Sequence, residues 1–346
     1  MADKITPFPG PRRDPAAATA PEPGARADWP AWPTYGLIDD LLPVLEGWHA
    51  RGRRVATATL VDISGSSPRP LGSEMAINDL GEVAGYVSGG CVEAAVATQA
   101  LEVLEHGKPV MLDYGAGSPV LDVQLTCGGR IRIFVRAITD LENYVSRLRS
   151  ARDARVPIDV CIDLDDGSHR FDAPALATGS QLFRKRHLPT PRLIVVGGDP
   201  VTLALCRLAP IFGYEVALLR PYGPAAPPVD TPLCQYDTRP LRSALRDLQL
   251  DASCAVYTLT HDMDDDHSVL IKALASEAFA IGALGSRSKS FERQALLRDA
   301  GIDADRMARL NTPAGLNIGA REPHEIALSV LAELVERRPR ETAAAT

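Results

Sequence analysis

Leu193-Ile194-Val195-Val196-Gly197-Gly198-Asp199-Pro200-Val201-Thr202 reads as a buried strand, a glycine turn and the first turn of a helix. Pro189 and Pro191 punctuate the chain just before it, so a domain begins there. The same alternation continues downstream. A helix is predicted over about Val201–Phe212, strands over Val216–Leu219 and Cys254–Leu259, and a helix from about His267 to Ser276. A strand over Phe279–Leu284 and a helix over Ser290–Asp299 follow. Strands that alternate with helices form a parallel sheet with helices on both faces, so residues 189–338 are predicted to be a Rossmann-like, doubly wound domain. The five prolines within Pro221–Pro232 predict an irregular loop between its second strand and the next.

The preceding chain is different in kind. Residues 35–139 read as a β-rich α+β domain: a helix ending near Gly52, a strand over Val55–Ile63, and a hairpin of Met75–Ile77 with Val83–Val87. A helix follows Cys91, and strands are expected near Val110–Tyr114 and Ile131–Val135. Residues 140–188 read as a connector, with a charged helix over Leu141–Arg152 and a hairpin around Asp166-Gly167. About half of the first 33 residues are Pro or Ala, which predicts a disordered tail over 1–34, and 339–346 reads as a second tail. The fold class is therefore α/β, a β-rich N-terminal domain followed by the parallel-sheet domain.

Composition narrows the function. The 346 residues carry a net charge of −7 without a long basic run, which argues against a nucleic-acid partner. No apolar run reaches the roughly 20 residues that span a bilayer, and the start of the chain lacks the apolar core of a secretory signal. A cytoplasmic protein with no membrane contact is expected. The six cysteines are scattered, without the close pairs of a zinc site.

Two of those cysteines stand in glycine-rich surroundings. Ser88-Gly89-Gly90-Cys91-Val92-Glu93 delivers Cys91 to a predicted helix start, where unpaired N–H groups and the helix dipole would stabilise a thiolate and attract an anion. The plainer alternative is a tight turn with a small buried thiol. Cys127-Gly128-Gly129 offers the same two readings. Gly65-Ser66-Ser67-Pro68-Arg69 combines backbone N–H groups, hydroxyls and a guanidinium suited to a phosphate or pterin, or is simply an exposed turn.

In the second domain, Gly197 fits a dinucleotide fingerprint, but Asp199 and Thr202 replace its second and third glycines. The next strand ends in Leu219-Arg220-Pro221, with no acid for a ribose hydroxyl. NAD(P) is therefore not expected, although Arg220 suits a 2′-phosphate or some other anion. Thr260-His261-Asp262 follows a strand at the carboxyl edge, where such sheets bind ligands. The acidic run through His267 reads as a metal-holding cluster or as a capped helix start, with Asp265 or Asp266 as the N-cap. Gly285-Ser286-Arg287 suits a phosphate or a solvated cap. Gly315-Leu316-Asn317 precedes Pro323 and a last helix whose Ile326, Val330, Leu331 and Leu334 form a core stripe.

Together these segments resemble the XdhC/CoxI family of molybdenum-cofactor maturation factors. The resemblance rests on Gly65–Arg69, Ser88–Glu93 and Cys127–Gly129 in the first domain. In the second it rests on Thr260–Asp262, Leu284–Arg287, Gly315 to Ala320 and Glu325–Ala327. It implies a non-catalytic carrier of molybdenum cofactor, as molybdopterin or its cytosine dinucleotide form. Such a carrier protects the cofactor while a cysteine-desulfurase-like partner installs a sulfido ligand, then delivers it to an apo molybdenum hydroxylase of the xanthine dehydrogenase type. A homodimer is compatible with it. The cofactor would contact Ser66, Ser67, Arg69, Ser88, Gly89, Gly90, Cys91, Glu93, Cys127 and Gly128 of the first domain. In the second it would contact Gly197, His261, Asp262, Gly285, Ser286, Arg287, Gly315 and Asn317, and Cys91 and Cys127 are the candidate molybdenum contacts. The chain departs from the family at Asp199-Pro200, Arg220, Asn317 and His324. An NADP-dependent oxidoreductase and a thiol redox sensor are the competing functions. The two groups of residues are expected to share one pocket between the domains.

Overall fold

The computed structural model describes residues 38–115, 117, 128–172, 181–340 and 343–345. The expected tail over 1–34 and Cys127 lie outside the described residues. The first domain runs α1 (Leu42–Ala50), β1 (Val55–Ser64), β2 (Glu74–Asn78), β3 (Val83–Gly85), α2 (Glu93–His106), β4 (Val110–Gly115) and β5 (Arg130–Ala137). Its strands form an antiparallel sheet in the order β3-β2-β1-β5-β4. The first seven of the ten residues of β1 are buried because both faces of the sheet are covered there. Ala56, Ala58 and Leu60 pack with Val96, Ala100 and Val103 of α2, while Val55 and Val61 point the other way into a second core.

That second core overturns the reading of residues 140–188 as a connector. It joins Leu42, Leu45 and Trp48 of α1 to Tyr144 and Leu148 of α3 (Leu141–Asp153). It also takes in Ile158, Val160 and Ile162 of β6 (Ile158–Asp163), which pairs with β7 (His169–Phe171), and Phe183 of β8 (Leu182–His187). Strand β8 was not foreseen, because Arg184, Lys185 and Arg186 interrupt any apolar pattern. Their charges are met in place. Arg184 pairs with Asp159, and Lys185 reaches the buried Glu74 of β2 at 2.7 Å. Burial raises the Glu74 carboxyl pKa, but Lys185, His187 and Arg136 outweigh it and hold the group below its ordinary value. The expected tail also departs from prediction. Ala343–Ala345 form the last strand, paired antiparallel with β8, a run of alanines with no periodicity to announce it.

The second domain follows the predicted alternation. It comprises β9 (Arg192–Gly197), α4 (Pro200–Leu208), β10 (Glu215–Leu219), β11 (Gln235–Asp237), α5 (Leu241–Asp247), β12 (Cys254–Leu259) and α6 (Met263–Leu274). Then come β13 (Ala280–Ala283), α7 (Arg287–Asp299), α8 (Ala304–Met307), β14 (Leu310–Asn311) and α9 (Pro323–Arg337). All six strands are parallel, in the order β11-β10-β9-β12-β13-β14. This is the Rossmann order, with the direction of winding reversing between β9 and β12. Alternate residues of β9 serve opposite faces: Leu193 and Val195 pack with α4 and α9, Ile194 and Val196 with α5 and α6. Short β11, β14, α5 and α8 were not predicted; each is too brief to show a period. Helix α6 starts four residues before the expected His267, because Asp262 is its N-cap and accepts from Asp264 N at 2.9 Å and Asp265 N at 3.0 Å.

His169 sits inside the first domain's second core, edge-on to Tyr144 with centroids 5.0 Å apart, and Arg136 Nη1 donates to its Nδ1 at 3.2 Å. Burial, then the Arg136 charge, pushes its pKa down to about 4. The unfolded chain therefore takes up this proton first as pH falls. The corresponding stability is complete above the unfolded value near 6.5 and drains away between there and about 4. Urea melts across that window should show a falling midpoint, and the fall should be shallower in His169→Phe.

Candidate functional site

In the first domain, three glycine-bearing turns converge. A Cβ at Gly129 would lie 2.0 Å from Ser66 O, so only glycine lets the Gly128-Gly129 turn rest on the Gly65–Ser67 turn. Gly89 in turn lies against Pro68, 3.6 Å from the position of its absent Cβ to Pro68 Cγ. Ser66, Gly89, Gly90, Cys91 and Gly128 are exposed at this junction. The predicted residues of the first domain that fall within the described chain are thus neighbours.

Their roles differ from those expected. Glu93, the first residue of α2, is buried, and its carboxylate accepts from Ser88 N and Ser88 Oγ, both at 2.7 Å, and from Val92 N at 3.2 Å. Ser88 Oγ itself accepts from Gly90 N and Cys91 N, each at 3.2 Å. The turn that leads into α2 is therefore pinned by the chain's own acid and hydroxyl, while no side chain caps the helix itself. Ser88 and Glu93 lie inside and position the turn; Cys91 sits just outside the helix, exposed on its surface. Arg69 is likewise engaged: Nη2 bonds Asp39 at 2.9 Å, Nη1 bonds Tyr86 Oη at 3.3 Å, and the guanidinium stacks 4.1 Å over the Tyr86 ring. Ser67 Oγ donates to Arg69 O at 2.9 Å and so closes its own turn.

The second group lies at the carboxyl ends of the parallel strands. The pairing of Leu259 with Gly197 sets the Thr260–Asp262 turn beside the loop before α4. There His261 Nε2 stands 3.9 Å from Asp199 Oδ2. Asp199 caps α4 by accepting from Thr202 N at 2.7 Å, so its carboxylate occupies the place a dinucleotide pyrophosphate takes in related folds. The cap roles extend around this edge. Asp262 caps α6, Ser286 caps α7, and among the described residues no cluster of three or more His, Cys, Asp or Glu could hold a metal.

Beneath the edge lie two buried acids: Asp266, which the sequence reading placed in a metal cluster or a helix cap, and Glu333, which it overlooked. Asp266 pairs with Arg293, both almost wholly buried, and also accepts from Thr258 Oγ1 at 2.5 Å and Thr260 Oγ1 at 2.7 Å. Gly285 packs directly over that guanidinium. Glu333 accepts from Tyr257 Oη, from Asn311 Nδ2 at 2.8 Å and from Gly315 N at 2.7 Å, fixing the loop that carries the exposed Asn317. The only signal for Glu333 was an acid set within an apolar helical stripe.

The two groups do not share a pocket within one chain. A cleft of about 770 Å³ does separate the domains, but on the second domain it is lined by Pro191, Tyr214, Glu215, Ser253 and Phe279. All five lie at or just before the starts of their strands, the amino edge. Arg155, following α3, ties the domains there, bonding Asp251 through Nε at 2.6 Å and Thr190 O at 3.1 Å. Gly197, His261, Gly285 and Gly315 are at the other end of the sheet, and none of them lines the cleft.

A domain of converging glycine turns that displays Cys91 is joined here to a Rossmann domain whose helices are capped by their own side chains. The XdhC and CoxI family matches residues 48–115, and the XdhC Rossmann domain matches residues 193–334. Over 289 residues, 83% of this chain and 84% of the relative, the chain is 32% identical to the Escherichia coli protein named molybdenum cofactor insertion chaperone PaoD. It is 24% identical over 318 residues, 82% of this chain and 93% of the other, to a Bacillus subtilis protein described as a probable xanthine dehydrogenase component. A Bacillus halodurans structure described as a xanthine dehydrogenase superimposes with a TM-score of 0.72. That match covers 87% of this chain and 95% of the other at 23% identity, a likeness of fold. The chain belongs to the XdhC/CoxI family.

Two outcomes check this geometry. Glu93→Ala strands the buried donors of Ser88 and Val92 and should lower stability by about 3 kcal/mol in urea melts. Peptide-resolved iodoacetamide labelling should modify Cys91 and Cys234, which are exposed, in the native protein. Cys161, Cys206 and Cys254 are buried and should react only on unfolding; burial pushes the Cys206 thiol up to about 12.

Proposed function

We propose that this protein carries molybdenum cofactor as cargo, without turnover of its own. It shields the cofactor, supports its sulfuration by a cysteine-desulfurase-like donor, and inserts it into an apo molybdenum hydroxylase of the xanthine dehydrogenase type. The observation that carries this reading is the exposed Cys91 on a glycine turn that Glu93 and Ser88 pin from the inside. Thiolate is a soft ligand suited to molybdenum. Gly89 and Gly90 are exposed and carry no side chain of their own, so a flat pterin can approach the backbone beside the thiol. The chaperone name of the Escherichia coli relative points the same way. No helix among the described residues is long and apolar enough to cross a membrane, which accords with a cytoplasmic carrier.

The oxidoreductase reading is weaker. Asp199 fills the amino end of α4 and would repel a pyrophosphate laid across it. Purified protein mixed with molybdenum cofactor and passed through gel filtration should retain near-stoichiometric pterin, read by fluorescence after oxidation. Cys91→Ala, with an unchanged circular dichroism spectrum, should retain little. Absence of pterin from the unsubstituted protein would overturn the carrier reading.

A further inference from the structure

At the carboxyl end of β10, Arg220 is held in a slot made by two glycines. A Cβ at Gly198 would lie 2.6 Å from Arg220 Nε, and a Cβ at Gly223 would lie 2.7 Å from Arg220 Cγ and 2.8 Å from Cδ. The side chain thus threads between the loop that precedes α4 and the turn that follows β10, and any larger residue at either position would expel it. Such confinement usually ends in an ion pair, yet the half-buried guanidinium makes no hydrogen bond or ion pair among the described residues. The nearby acids are committed elsewhere. Asp237, on the paired strand β11, is taken by Arg239 at 2.7 Å, and Asp199 caps α4.

The turn beyond Arg220 is equally built. Gly223 N bonds Arg220 O at 2.9 Å, Tyr222 N bonds Thr238 O at 3.0 Å, and Tyr236 Oη bonds Pro224 O at 2.7 Å. Within it Tyr222 is held in the left-handed region, with φ of 57°, and is 84% exposed. A tyrosine kept there against both its backbone preference and its hydrophobicity is an aromatic face presented to solvent. A fixed, uncompensated guanidinium two residues from an exposed ring matches the two parts of a nucleotide: a phosphate for the cation and a base for stacking.

We propose that the carboxyl edge of the parallel sheet binds a nucleoside phosphate, with its phosphate on Arg220 and its base against Tyr222. The phosphate lies to the side of the α4 amino end, because Asp199 holds that position. The ligand class is the same whether the nucleotide is a free molecule or the tail of a dinucleotide form of the cargo. This site is separate from the Cys91 turn and stands or falls independently of the carrier reading.

The test is calorimetric titration of the full chain with cytidine monophosphate, adenosine monophosphate, adenosine diphosphate and inorganic phosphate. Monophosphates should bind saturably. Arg220→Ala should weaken them at least tenfold, and Arg220→Lys less. Tyr222→Ala should weaken nucleotides about tenfold while leaving inorganic phosphate unchanged. Asp199→Gly should shift preference toward the diphosphate. No saturable binding at millimolar nucleotide, or binding indifferent to Arg220→Ala and Arg220→Lys, overturns the proposal. Retention of molybdopterin and of its cytidine dinucleotide form is measured in parallel. Competition by cytidine monophosphate against the dinucleotide form alone identifies the cargo's tail. Nucleotide binding with equal, uncompeted retention of both identifies a free nucleotide. Pterin retention without nucleotide binding sinks this proposal and leaves the carrier; nucleotide binding without pterin does the reverse.

Discussion

One buried carboxylate organises the thiol-bearing half of the molecule. Glu93 gathers Ser88 N, Ser88 Oγ and Val92 N, and Ser88 relays the same anchoring to Gly90 N and Cys91 N. A carboxyl group this deep is tolerated because three donors meet it beside the start of a helix. The turn above it is rigid as a result, and Cys91 is displayed at the surface rather than drawn into the core. The Gly128-Gly129 turn packs on the Gly65–Ser67 turn through a contact that admits no Cβ at Gly129, and Pro68 rests against Gly89 of that frame.

The parallel-sheet half applies the same principle below its carboxyl edge. Asp266 with Arg293, and Glu333 with Tyr257 and Asn311, hold the loops after β12, β13 and β14 from beneath. Their rims are then finished by self-capping side chains, Asp199, Asp262 and Ser286. Helix amino ends that attract anions in other proteins of this architecture are here already satisfied. Arg220, wedged between Gly198 and Gly223, is a half-buried charge at that edge with no partner among the described residues.

Much of this architecture was legible in the sequence. Runs such as Leu193–Val196 and Cys254–Leu259 are bounded by turn residues and could be placed within a residue or two, and their alternation with helices fixed a parallel sheet. Strand β8 was hidden because Lys185 and Arg184 depend on Glu74 and Asp159, partners 111 and 25 residues away. The start of α6 was misjudged because four aspartates offered rival caps, and only the approach of α6 to β12 selects Asp262. At the site, residue types were visible and their orientation was not. Glu93 and Ser88 read as ligand-facing yet turn inward, and Arg69 is spent on Asp39 and Tyr86. Arg220 stood out as a departure from family habit, but its slot is a property of two glycines, one of them across the sheet edge.

The first domain meets the second at the starts of the parallel strands, so the far ends of those strands face away from the Cys91 turn. With a rise of about 3.3 Å per residue, a six-residue strand separates its two ends by about 17 Å even before the loops are added. The edge that carries Gly197, His261 and Gly315 is therefore a surface apart from the cleft between the domains.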